Sequence, residues 1–306
     1  MTGDRSFDQT SCLCLRLIPE VSISLHSIMT TLISWISYST TGEKPELPRA
    51  IYIASDSRIT WGSEGFRWDA GRKVFCPKFE PHVFGYCGDV VFPSLVLGQI
   101  VTAIDNEVLF NRDVDADQKH EIIFSSIKSS FQEGRNLPVA DFSILHAFRI
   151  ADWPNTDYRF WHISYKSKTH EWVSSNIDLP KETGMIISLG SGAGSTKNHE
   201  KRWKESDAGG TSRSYFSAFC DAISSGNDKF SGGIPQLCGL YTKMPPRSIG
   251  VIKNNRYFLN GMEIQNGPNL SKIEWRDELF QIIDPVKNSV KEGSRKFVRP
   301  LDLTST

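Results

Sequence analysis

The residues of this chain that could support bond cleavage fall in six short, widely separated segments. Thr30 and Thr31 open a β-branched run, Asp56 closes the run Ala50–Ser55, and Lys73 stands beside Arg72. Further on come Gly85-Tyr-Cys-Gly88-Asp89, Gly190-Ser191-Gly192 and Asp228-Lys-Phe-Ser231-Gly-Gly233. Hydroxyls near ionisable groups are the ingredients of nucleophilic catalysis. Taken singly, each has a plainer reading. A threonine opening a strand is a strand residue, Asp56 and Lys73 read as surface charges, and the glycines read as turns. The run Gly190–Gly194 lacks the lysine of a phosphate loop and the spacing of a dinucleotide fingerprint. The seven histidines show no metal-ligand spacing of the H-E-x-x-H kind.

The elements that must position these residues can be read from pattern. Thr31–Tyr38 and Ala50–Ser55 are rich in β-branched and aromatic residues and predict two strands, joined by a long hairpin loop over Ser39–Arg49. Shorter strands are expected at Arg72–Phe75 and His82–Tyr86, separated by Pro77 and Pro81. Apolar spacing of three to four predicts helices at Phe92–Asn106 and Gln118–Gln132. Strands follow at Asp141–Phe148, Tyr158–Tyr165 and Gly184–Leu189, then a helix at Ser212–Ser225 with Thr211 or Ser212 as its N-cap. Strands resume at Gln236–Tyr241, Ser248–Ile252 and Arg256–Phe258, and a last helix is expected over Trp275–Ile283. This segregation favours stacked layers of helix and antiparallel sheet over alternating β-α-β units. Trp61, Phe66 and Trp68, between Asp56 and Lys73, read as core aromatics, with the lining of a specificity pocket as the other reading.

Composition narrows the function classes. Lys+Arg and Asp+Glu are both 35, so net charge is zero and nothing favours a nucleic-acid partner. No apolar run reaches the roughly 18–20 residues that cross a bilayer, so no membrane role is expected. The stretch Cys12–Met29 is interrupted by Arg16, Glu20 and His26 and lacks the order of a secretory signal. The six cysteines are scattered and suggest no disulfide framework, so the plainer reading is a reducing cytoplasm.

Taken in order, the segments Thr30-Thr-Leu-Ile-Ser34, Ile53-Ala-Ser-Asp-Ser-Arg58, Arg72-Lys-Val74, Gly85–Asp89, Leu189-Gly-Ser-Gly192 and Asp228–Gly233 resemble the catalytic β-subunits of the proteasome and the bacterial heat-shock threonine peptidase. Both are N-terminal-nucleophile hydrolases. The resemblance runs from Thr30 to Gly261 and implies an α+β fold, a four-layer α/β/β/α sandwich of two antiparallel sheets between helix layers. It implies a threonine peptidase whose nucleophile is Thr30 and whose general base is the α-amine of Thr30 itself. By the same resemblance Lys73 lowers the pKa of that amine, Asp56 holds the lysine, Ser191 relays a proton, and Asp228 and Ser231 give polar support. Gly88, favoured over Gly85, supplies the oxyanion N–H. No metal or organic cofactor is implied. The partners implied are a polypeptide substrate, further copies of the chain in a closed ring, and an ATP-driven unfoldase.

The chain departs from that pattern in three places. Met29 precedes Thr30 where self-cleaving relatives carry glycine, so residues 1–29 read as a leader, a propeptide or a start assigned too far upstream. The loop Ser39–Arg49 and the segment 262–306, an accessory extension to the domain 30–261, are the other two. Thr31 is a formal rival nucleophile. The competing function classes are a non-catalytic subunit or interaction module of the same fold, and a hydrolase of a non-peptide amide.

Overall fold

The computed structural model describes residues 29–39, 47–61, 65–111, 113–135, 139–151, 154–265 and 269–303. Most of the expected leader, the middle of the expected Ser39–Arg49 loop and the last three residues therefore lie outside the described residues. The described residues open with six strands: β1 (Thr31–Tyr38), β2 (Pro48–Ser55), β3 (Ile59–Trp61), β4 (Phe66–Trp68), β5 (Val74–Phe75) and β6 (His82–Gly88). Helices α1 (Val91–Asp105) and α2 (Ala116–Gln132) come next, then β7 (Phe142–Arg149), β8 (Tyr158–Lys166), β9 (Glu171–Asn176) and β10 (Gly184–Gly190). After α3 (Ala193–Lys204) and α4 (Ser212–Ser224) come β11 (Gln236–Tyr241), β12 (Arg247–Lys253), β13 (Arg256–Leu259), β14 (Met262–Glu263), β15 (Trp275–Asp277), β16 (Ile282–Asp284) and β17 (Ser289–Val290).

The fold is mixed α+β. One ten-stranded sheet runs β10-β1-β2-β11-β12-β15-β16-β17, with β13 and β14 branching from β12. A five-stranded antiparallel sheet runs β5-β6-β7-β8-β9, and β3 pairs β4 apart from both. Strands β1 and β2 are buried on both faces, which is why they read as continuous apolar runs rather than strict alternations. Leu32, Ile36, Ile51 and Ile53 of the larger sheet share one core cluster with Val83, Leu145, Ala147 and Phe160 of the smaller. On its other side the larger sheet packs Ile33, Trp35, Tyr52 and Ala54 against Tyr215, Phe216, Phe219 and Ile223 of α4. The smaller sheet packs Phe84, Tyr86, Ile144 and Ile163 against α1 and α2. Among the described residues no helix is long and apolar enough to cross a membrane.

Two sequence expectations need correction, and α3 and β9 are among the elements not expected. Trp275–Ile283 is not a helix. Trp275 pairs in parallel with Gly250, and the Asp277 carboxylate accepts from the N–H groups of Leu279 and Gln281, closing a turn that competes with helix formation. Phe280 is left-handed, at φ 62°, and the chain returns as β16. Helix α3 has no counterpart in the expected elements, because only Thr196 and Trp203 of its twelve residues are buried and the apolar stripe is missing. Trp61, Phe66 and Trp68 are not core residues: they are 51%, 64% and 53% exposed on the β3–β4 hairpin. Strand β9 is also absent from the expected elements, its residues alternating exposed with half-buried along an edge.

Candidate active site

Thr30 sits immediately before β1, almost completely buried, and its backbone φ is +103°. A positive φ is a real outlier for a β-branched residue and stores strain on the order of 1–3 kcal/mol. Packing over-determines it. The carbonyl of Thr30 lies so close to Gly190 that a Cβ there would stand 1.9 Å away, so only glycine, at φ +90°, fits where β10 ends against β1.

Lys73, just before β5, reaches the same point from the smaller sheet. Its side chain is fully buried, and its three ammonium protons meet three acceptors. These are Thr30 Oγ1 at 2.7 Å, Asp56 Oδ1 at 3.1 Å and the Arg58 carbonyl at 2.5 Å. Burial pushes the Lys73 pKa down, and the Asp56 carboxylate opposes that shift. Asp56 is equally saturated. Its Oδ1 accepts from Lys73 and from the Thr31 N–H, and its Oδ2 from the N–H groups of Arg58 and Gly232, both at 3.0 Å. The carboxylate thus ties the start of β1, the lysine and the Asp228–Gly233 turn together.

The remaining expected residues divide into two groups. The hydroxyl of Ser231 accepts from Thr31 Oγ1 at 2.7 Å and donates to Asp228 Oδ2 at 2.7 Å. The hydroxyl of Ser191, which is exposed, donates to that same carboxylate oxygen at 2.5 Å. Ser191, Asp228 and Ser231 thus form one chain that reaches Thr31 rather than the Thr30 hydroxyl. On the opposite side the Gly88 N–H donates to the Met29 carbonyl at 3.1 Å. Gly88 has φ +97°, and a Cβ there would stand 2.3 Å from the Asp141 carbonyl, so glycine is required to aim this N–H. Gly85 lies inside β6, facing Ile53 and Leu32, and takes no such part. The two threonines are distinguished by partner: Thr30 Oγ1 faces the ammonium, Thr31 Oγ1 faces Ser231.

Sequence reasoning missed Gln236. Its buried side-chain carbonyl accepts from the Lys73 N–H at 3.0 Å, while its amide donates to the carbonyls of Asp56 at 3.1 Å and Gly71 at 2.6 Å. A lone amide opening the apolar strand Gln236–Tyr241 was the available signal, since a buried amide needs partners. Arg58, at the end of the segment Ile53–Arg58, is a second such residue. It holds Asp69 through two bonds, at 2.8 and 3.0 Å, and donates to the Ser231 carbonyl at 3.2 Å. Among the described residues no group of three or more His, Cys, Asp or Glu could hold a metal ion.

No protein-family model matches the chain, and no curated protein matches it. Among solved structures it is similar to the crystal structure of eukaryotic HslV from Trypanosoma brucei, with a TM-score of 0.41 and 13% identity. That match covers 69% of this chain and 99% of the other.

Proposed function

We propose that this chain is a threonine-type N-terminal-nucleophile hydrolase acting through Thr30 once Met29 and all that precedes it are removed. The observation that carries the reading is the arrangement about one peptide bond. The Thr30 hydroxyl is held by the Lys73 ammonium, and the carbonyl of the Met29–Thr30 bond rests on the Gly88 N–H. Breaking that bond abolishes the dihedral in which Thr30 is strained. Thr30 Oγ attacks the Met29 carbonyl carbon, Gly88 holds the oxyanion, and the C–N bond breaks as the nitrogen takes a proton. Water then releases the ester. Removal of Met29 by another enzyme reaches the same product.

The freed α-amine, ordinarily at a pKa of about 7.7–8.0, becomes the general base. Like-charge repulsion from Lys73 lowers that value, and Asp56 keeps the lysine charged and oriented. Ser191, Asp228 and Ser231 give polar support beside the nucleophile, through their chain to the Thr31 hydroxyl. A substrate carbonyl then passes through the same attack, ester and hydrolysis steps on Gly88. The substrate class is a peptide bond, and no cofactor takes part. The three core clusters support a four-layer α/β/β/α sandwich built on residues 30–261, into which the segment 262–306 packs through β15 and Phe280. The family resemblance further supports a ring of identical chains, fed by an ATP-driven unfoldase in the cytoplasm.

The test is intact mass of the native protein before and after a β-lactone, beside Thr30→Ala. A chain beginning at Thr30 that gains one lactone mass, with no gain in the variant, is the expected result. A chain that retains Met29 and takes no lactone would identify a non-catalytic module instead. Capture without cleavage of a fluorogenic peptide library would move the substrate to a non-peptide amide.

A further inference from the structure

Behind the Lys73–Gln236 contact the two sheets present a pair of thiols. Cys76 lies three residues after Lys73, at the end of β5, and Cys238 two residues after Gln236, in β11. Cys238 pairs across the larger sheet with Ser248, and both Cys76 Sγ and Cys238 Sγ lie 3.7 Å from Ser248 Oγ. Cys238 is fully buried, whereas Cys76 is partly exposed. Of the other described cysteines, Cys220 is buried in the α4 core cluster, and Cys87 is buried in the cluster that also holds Cys238.

The pair is chemically asymmetric. The neighbouring Cys238 thiol, aided by Ser248 and the nearby Arg72 cation, pulls the Cys76 pKa down, while burial pushes that of Cys238 up. One thiol is therefore the readier thiolate, and its neighbour stays protonated.

We infer that Cys76 and Cys238 are a redox pair that hydrogen peroxide converts into a disulfide bridging the two sheets. The Cys76 thiolate attacks the peroxide, the O–O bond breaks, and hydroxide leaves to give the sulfenic acid. The Cys238 sulfur then attacks Cys76, its proton goes to the departing oxygen, and water leaves. Two thiols and one peroxide yield one disulfide and two waters. The bridge fastens the strand following Lys73 to the strand that begins with Gln236. A reductant reverses it, which suits a pair held reduced by default.

The experiment uses the full chain with hydrogen peroxide, then alkylation, digestion and mass analysis. The expected result is a peptide linked through Cys76 and Cys238, about 2 Da lighter than the sum of its thiol forms and lost on adding dithiothreitol. With Cys238→Ser, a sulfenic-acid trap such as dimedone labels Cys76. The oxidised wild-type chain melts at a higher Tm than the reduced one. Recovery of both cysteines as alkylated thiols from peroxide-treated folded protein would overturn the inference. So would direct over-oxidation of Cys76 in the wild type without a linked peptide. None of these readouts depends on Thr30.

Discussion

At the residue scale the site is a saturated ionic knot. Lys73 and Asp56 are both without solvent exposure, and each fills its hydrogen-bonding capacity. Removing one partner of such a pair leaves a buried charge uncompensated, a cost of about 3–5 kcal/mol. Lys73→Ala is therefore expected to lower unfolding stability by that amount, as urea titration would measure, and to abolish lactone capture at Thr30. An unchanged urea midpoint would mean that Asp56 is not held as a buried carboxylate. These residues were legible as a candidate set because their order along the chain matched a known pattern. Gln236 was not, because a single glutamine in a strand carries no spacing to recognise.

At the element scale two packings are testable. The end of β10 touches Thr30 through Gly190, so Gly190→Ala forces the Thr30 carbonyl away and moves its hydroxyl from Lys73. The expectation is loss of capture with a destabilisation of about 1–3 kcal/mol from the positive φ and the clash. Capture at the wild-type rate would show that β10 does not set the nucleophile.

The other packing joins α2 to the smaller sheet through three buried imidazoles. His82 Nδ1 lies 2.9 Å from His146 Nε2, His146 Nδ1 lies 2.9 Å from His120 Nδ1, and His120 Nε2 lies 2.7 Å from Ser174 Oγ. Lys119, paired with Glu80, flanks them. Burial holds all three histidines below the ordinary value, His120 at about 4, and the positive charge of Lys119 further lowers His82. Folded pKa values below the unfolded 6.5 mean that the unfolded chain binds more protons between those limits. Stability therefore falls as pH drops from about 6.5 toward 4, by on the order of 3 kcal/mol from His120 alone. Urea midpoints at pH 7 and pH 5 should separate, and His120→Gln should narrow the gap.

At the scale of the whole molecule the C-terminal segment is built into the domain rather than trailing from it. Strand β15 extends the larger sheet beside β12, and Arg299 forms a two-bond ion pair with Asp221 of α4, at 2.8 and 2.9 Å, while Leu303 packs on Trp203. Arg299→Ala is expected to cost about 1 kcal/mol, a few degrees of Tm, because the pair is partly exposed. A drop beyond about 10 °C by calorimetry would show the segment to be a larger part of the core than this pair implies.

By itself the sequence determined the local, periodic features. Apolar runs fixed β1, β2, β6, β7 and the helices α1, α2 and α4, and the ordered motifs nominated Thr30, Asp56, Lys73 and Gly88. Only the tertiary structure decided what depends on contacts between distant segments. The orientation of Thr30 toward Lys73, the diversion of Ser191 through Asp228 and of Ser231 to Thr31, and the Gln236 bridge rest on contacts between residues 37 to 200 positions apart. No spacing in the chain encodes such meetings. The exposed β3–β4 aromatics and the strands at Trp275–Ile283 mark the same boundary, since burial and strand pairing are properties of neighbours in space rather than in sequence.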